Sequence, residues 1–168
     1  SVEQFPAAFD AAFAASATIM VEAYLSGREF TCGVIPSSPG GAPVALPVTE
    51  ITTANLFFDY QAKYEGQSEE ITPADIDEAT TAQIQQTALD VYCDMDMCGV
   101  ARIDFIMHDG VANIVEVNTV PGFSAASIIP QQAAEAGLQP REFISLLLDD
   151  AWVRSGRSYP VGQLGQRL

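Results

Sequence analysis

Positive charge is scarce in this chain. Lys and Arg total 7 against 22 Asp and Glu, for a formal net charge of −15. Such an excess of anionic side chains argues against nucleic acid or a membrane surface as partners. Lys63 is the only lysine, so a bound polyphosphate would have to be neutralised by metal ions or by cations from elsewhere. The one histidine, His108, stands beside Asp109-Gly110 and reads as a solvated turn residue rather than a catalytic base. Cys32, Cys93 and Cys98 are odd in number and lack CxxC spacing. That argues against a disulfide framework and a structural zinc site, and makes free thiols in a reducing cytoplasm the simpler reading. Apolar runs such as residues 143–148 are far too short to cross a bilayer. Residues 1–9 show neither a basic start nor a cleavage-like site, so no signal peptide is expected; the chain also reads as a cut piece of something longer.

What is present suits one globular domain: 168 residues, 48% hydrophobic and 17% charged. Phe5, Phe9 and Phe13 recur every four residues, which predicts a helix over 5–15 packed by one aromatic face. Strands are expected at 18–25, 29–35 and 49–53, with a Pro/Gly loop at 36–47 that leaves room for a short extended piece at 44–46. Residues 55–70 have no clean period and read as an ordered loop. Thr72-Pro73 reads as a helix start capped by Thr72 and running to about Met95. A hairpin over 100–107 and 111–117 follows, then a Pro/Gly loop at 118–123 and helices at 125–136 and 140–153. No repeat is visible. The expected class is α+β with a mainly antiparallel sheet flanked by helices, the domain covering 1–154 and a tail 155–168.

The chemistry concentrates in Arg102-Ile103-Asp104 and Glu116-Val117-Asn118. Residues two apart on a strand share a face, so Arg102 and Asp104 point together, as do Glu116 and Asn118. A three-residue turn of His108 to Gly110, with Met107 facing Val111, would set Arg102 opposite Glu116 and Asp104 opposite Ile114. All four polar residues would then share one face, floored by Ile106 and Ile114, whereas a two-residue turn would send Asp104 to the wrong side. Two carboxylates and an amide oxygen suit Mg²⁺, and Arg102 offers a fork for phosphate or an oxyanion. The other reading of the same residues is a solvated sheet face with an Arg–Glu pair, contributing ~0–1 kcal/mol.

Gly99-Val100-Ala101-Arg102-Ile103-Asp104-Phe105 and Val115-Glu116-Val117-Asn118-Thr119-Val120-Pro121-Gly122-Phe123 together resemble the ATP-grasp signature of D-alanine–D-alanine ligases. Val21-Glu22-Ala23-Tyr24-Leu25-Ser26-Gly27-Arg28-Glu29-Phe30 and Phe58-Asp59-Tyr60-Gln61-Ala62-Lys63-Tyr64 are similar to two further blocks of that family, in the right order and spacing. The resemblance covers roughly 1–153 and implies the carboxyl-terminal lobe of the ATP-grasp fold. It implies that Asp104, Glu116 and Asn118 hold two Mg²⁺ ions bridging the phosphates of ATP, with Glu116 shared. One D-alanine carboxylate would become an acyl phosphate, and the amine of a second D-alanine would attack it, giving the dipeptide used in peptidoglycan synthesis. Arg102 and the Gly122 N–H would stabilise the oxyanion. Ser127 and the Ile128 N–H would hold the second carboxylate. Glu22, with Ala23 and Leu25, would recognise adenine and Glu29 the ribose, while Tyr24, Phe57, Ile106 and Val115 would line the base pocket. Lys63 would meet the phosphates, and Tyr64 would belong to the closing loop and mark D-alanine as acceptor.

Gln61 stands where the family commonly has an acid, and the hairpin turn looks one residue short. The family's amino-terminal portion, with two phosphate-binding lysines and a Gly/Ser-rich loop, is not in the sequence; it is the expected partner, and the isolated chain is expected to be inactive. A homodimer is an open possibility. Other readings are an ATP-grasp carboxylate–amine ligase with a different acceptor, and a non-catalytic acidic module of the same fold.

Overall fold

The computed structural model describes residues 2–53 and 68–156. After a short 3-10 turn the elements run α1 (Phe5–Ala15), β1 (Arg28–Pro36), β2 (Pro43–Ala45), β3 (Thr49–Thr53), β4 (Ser68–Ile71), α2 (Glu78–Asp94), β5 (Ala101–His108), β6 (Val111–Asn118), α3 (Ile128–Glu135) and α4 (Pro140–Arg154). The strands form one antiparallel sheet in the order β4-β3-β1-β5-β6, with β2 paired to the far end of β1. The α+β expectation holds. Among the described residues no helix is long and apolar enough to cross a membrane.

Alternation in the strands assigns the two faces. Phe30, Cys32 and Val34 of β1 stand opposite Phe105, Ile103 and Ala101 of β5, and all six are buried under Ile84, Ala88 and Tyr92 of α2. Burial pushes the Cys32 thiol up to about 12, the Leu46 carbonyl working weakly the other way; it is a free, protonated core residue. The opposite face carries Glu29, Thr31 and Gly33 of β1 against Ile106, Asp104 and Arg102 of β5. There α3 and α4 cover only one end, where Ile35 and Leu46 pack on Ile129, Ala133 and Phe143. The uncovered remainder of that face is where the polar residues lie.

Gln132 fastens α3 to the sheet. Its side chain is fully buried, accepts from the Gly33 N–H at 3.0 Å, and donates to the Thr31 carbonyl and the Thr49 hydroxyl, each at 3.0 Å. The approach needs a glycine: a Cβ on Gly33 would lie 2.7 Å from Ile129 Cδ1 and 2.8 Å from Gln132 Oε1.

Several expectations are corrected. Residues 18–25 form no strand, and Met20, Val21 and Tyr24 are exposed; a strand needs a hydrogen-bonding neighbour, and no ladder among the described residues takes this segment in. The aromatic stripe of α1 forms, with Phe9 and Phe13 rings 4.8 Å apart, but no α1 residue is buried. The second helix begins at Glu78, not at Thr72. The Thr72 hydroxyl shares a hydrogen bond with the Thr49 hydroxyl at 2.6 Å, and Asp77 caps the helix by accepting from the Thr80 N–H at 2.8 Å. β4 occupies the end of the stretch read as a loop. The helix expected from residue 125 starts at Ile128. The tail expected at 155–168 lies almost wholly outside the described residues.

Candidate functional site

β5 and β6 are joined by two residues, not three. Asp109 and Gly110 have φ values of 50° and 76°, the paired left-handed conformation of a tight hairpin turn, for which Asp-Gly is well suited. His108 pairs with Val111 and Met107 with Ala112. His108 therefore ends β5 rather than sitting in the turn, and its Nδ1 meets the Ser26 carbonyl at 2.8 Å. Continued unbroken, this register would have set Asp104 against Val115. Instead it shifts between Phe105 and Asp104: Phe105 pairs with Ile114, and Asp104 pairs with Glu116. Val115 is the extra residue of a β-bulge. The bulge restores the parity that the shorter turn would have lost. Asp104 faces Glu116 and Arg102 faces Asn118, in place of the pairings expected from a three-residue turn. Ile106 keeps its place on the site face. Ile114 does not, because it pairs with Phe105 on the other parity.

Asp104 is the hub. Its Oδ1 accepts from Thr31 Oγ1 at 2.6 Å and Arg102 Nε at 2.9 Å. Its Oδ2 accepts from Arg102 Nη2 at 2.8 Å and Asn118 Nδ2 at 3.0 Å. Both side chains of the Arg102–Asp104 pair are only 18% exposed. Burial works against the Arg102 charge, but the hydrogen bond to Asp104 and the charges of Asp104, Glu116 and Glu70 outweigh it and raise the guanidinium's pKa. Arg102 therefore stays charged.

The loop after β6 returns to the same face. Phe123 stacks on Phe143, with centroids 5.0 Å apart, which holds the loop against α4. A Cβ on Gly122 would lie 3.1 Å from Ser127 Oγ, so glycine permits this close approach. Ser127 is the N-cap residue of α3, but its side chain does not bond its own helix. Its Oγ accepts from the Ser124 N–H at 2.9 Å, while its N–H donates to the Ser124 carbonyl at 2.9 Å. The first turn of α3 thus presents backbone N–H groups, starting with Ile128, where a helix N-terminus favours an anion.

These groups enclose a cleft of about 390 Å³ lined by Arg102, Asp104, Glu116, Asn118, Gly122, Ser127 and Ile128, with Glu70 and Ile51 on the β3–β4 side. A more apolar pocket of about 150 Å³ adjoins it across Asp104 and Glu116, and is lined by Glu29, Phe30, Phe105, Ile106 and Val115. The structure thus gathers Arg102, Asp104, Ile106, Val115, Glu116, Asn118, Gly122, Ser127, Ile128 and Glu29 around two cavities that share Asp104 and Glu116 as lining residues. Glu22, Ala23, Tyr24 and Leu25 line neither; residues 22–24 are exposed in the irregular segment before β1. Phe57, Lys63 and Tyr64 lie outside the described residues. Among the described residues, no three Asp, Glu, His or Cys side chains are grouped to hold a metal ion, so the hard-oxygen set is two carboxylates and one amide.

Three contributors escaped the sequence reading. Thr31 could have been found, because it alternates with Glu29 and Gly33 along a predicted strand. Glu70 was hidden in a stretch without period. Gln132 looks like any polar helix residue until its burial is known.

Residues 1–149 match the family described as "D-ala D-ala ligase C-terminus". The D-alanine--D-alanine ligase of Christiangramia forsetii is 43% identical over 140 residues, which is 83% of this chain and 42% of that protein. The chain thus spans less than half the length of that relative. Among solved structures, the D-alanine-D-alanine ligase from Coxiella burnetii superposes with a TM-score of 0.77 at 29% identity, over 93% of this chain and 40% of the other. The VanG D-Ala:D-Ser ligase from Enterococcus faecalis gives 0.74 at 28%, over 88% of this chain and 43% of the other. The antiparallel sheet with its helices and the family match agree, and this chain belongs to the D-Ala–D-Ala ligase C-terminus family.

Proposed function

We propose that the protein carrying this chain is an ATP-dependent ligase that joins two D-alanines through an acyl phosphate, and that this chain supplies the lobe holding the phosphates and the acceptor. One observation supports the reading most: Asp104 and Glu116 are cross-strand partners in a cleft shared with Arg102, Gly122, Ser127 and Ile128. Phosphate-side and acceptor-side groups meet there within reach of a single reacting centre.

The donor chemistry fits Mg²⁺. Both oxygens of Asp104 already receive a guanidinium, so the position demands positive charge. Glu116 stands directly across. Asn118, now donating to Asp104, has an amide oxygen it can present after a simple rotation. Asp104, Glu116 and Asn118 would hold two ions, which when bound neutralise phosphate charge as the γ-phosphoryl group transfers. The 150 Å³ pocket would take the nucleoside against Ile106 and Val115, with Glu29 toward the ribose and Glu22, Ala23, Tyr24, Leu25 and Phe57 nearby in the assembled enzyme. Arg102 and the Gly122 N–H would hydrogen-bond the oxyanion as the amine adds to the acyl carbon. Ser127 and the Ile128 N–H would hold the acceptor carboxylate, and Lys63 and Tyr64 would close over the site. Such chemistry belongs in the cytoplasm, where ATP is available.

The test is D-alanine-dependent phosphate release by the full-length protein, with D-alanine and D-serine compared as acceptors. Release without D-alanyl-D-alanine formation would overturn the reading, and a preference for D-serine would move the acceptor.

A further inference from the structure

Glu70 is the cleft residue that neither the phosphate side nor the oxyanion side uses. β4 pairs with β3 so that Glu70 stands opposite Ile51, and Ile51 stands opposite Glu29 of β1. This places Glu70 on the same sheet face as Asp104, three strands away in the order β4-β3-β1-β5. Its side chain lines the 390 Å³ cleft together with Ser127 and Ile128. It is half-buried, and its charge is felt by Arg102. Gln131, in the first turn of α3, donates to its Oε2 at 2.6 Å. One amide donor engages one oxygen, while a carboxylate offers about four lone-pair sites.

A cation is the natural occupant beside such a group, and the structure narrows which one. Glu70 does not join Asp104 and Glu116 in a metal-holding group among the described residues. Its neighbour across the cleft is the N-terminus of α3, which favours an anion. A carboxylate on one wall and helix N–H groups on another form complementary ends for a zwitterion. On the ligase reading above, the acceptor is such a zwitterion.

We propose that Glu70 is a specificity-determining residue that binds the ammonium group of the acceptor amino acid, while Ser127 and the Ile128 N–H bind its carboxylate. The inference rests on the proposed ligase function. Glu70 holds the acceptor nitrogen toward the acyl carbon beside Arg102 and Gly122; the ammonium passes one proton to the Glu70 carboxylate, the neutral amine adds, and phosphate leaves, while Gln131 fixes the carboxylate's direction. A compact ammonium beside a carboxylate is held by a charge-assisted hydrogen bond, and its loss is felt mainly in acceptor binding.

The experiment uses the full-length enzyme, following formation of D-alanyl-D-alanine with ATP in excess. Glu70→Gln should raise KM for the acceptor D-alanine about 10-fold or more, with KM for ATP unchanged, and Glu70→Asp should recover part of the loss. Gln131→Leu separates this role from a structural one: it removes the tie to α3 but keeps the charge, and acceptor KM should rise far less than in Glu70→Gln. Equal effects of Glu70→Gln and Gln131→Leu would overturn the proposal and leave Glu70 as an anchor for α3. So would an unchanged acceptor KM in Glu70→Gln. An inactive native protein would instead remove the ligase reading itself, so the two failures are distinct.

Discussion

Replacing Glu116 by Gln in the full-length protein should lower turnover by about 10³-fold, a loss of ~4 kcal/mol in transition-state stabilisation. The substitution keeps shape and hydrogen-bonding capacity but removes one of the two facing carboxylates. Asp104 is already committed to Arg102, Thr31 and Asn118; Glu116 stands across the ladder from it, and on the proposed function this second anion would let the pair draw cations to the phosphates. Folding should hardly notice, since Glu116 is exposed and substitutions at such positions usually stay within about 0.5 kcal/mol. Mg-ATP titration calorimetry and phosphate release, run beside thermal unfolding, would separate the two effects. Unchanged affinity and turnover would favour a non-catalytic acidic module of the same fold.

The second large effect is on stability. Gln132→Ala should destabilise the protein by about 2–4 kcal/mol, because it orphans the Gly33 N–H in the core and leaves a void under α3. Gln132→Leu, which refills most of that void, should recover part of the loss but not the unpaired N–H. Since Thr31 accepts from Gln132 through its carbonyl and donates to Asp104 through its hydroxyl, loosening α3 should also raise acceptor KM. Urea unfolding of both variants checks this: a loss below about 1 kcal/mol in Gln132→Ala would show that α3 is held by its apolar contacts alone.

The bulge shows why some of this was beyond a sequence reading. Alternation correctly put Arg102 with Asp104 and Glu116 with Asn118, and it put the two pairs on one face. A three-residue turn would give that shared face, yet the actual turn has two residues and Val115 supplies the missing step. Asp109-Gly110 pointed to the tight turn, but nothing in Ile114-Val115-Glu116 announces which residue will be squeezed out of a ladder. The 18–25 segment failed for a related reason, since strand-forming composition cannot show whether a neighbour will be there to pair with it. Glu70 was unreadable because its strand is short and borders a stretch with no period.

Local chemistry alone was sufficient for the coarse order of helix, β-rich middle, helix, hairpin and two helices, for the anionic character of the chain, and for the residue types that mark the family. Those follow from side-chain periodicity and from motifs that act within a few residues of chain. The tertiary structure decided which carboxylate meets which, how α3 is pinned by Gln132, and that Glu70 and the α3 N-terminus share a cleft. These depend on register and on contacts between residues far apart in the chain. A single extra residue in β6 changes every β5–β6 pairing beyond it while leaving the local pattern untouched.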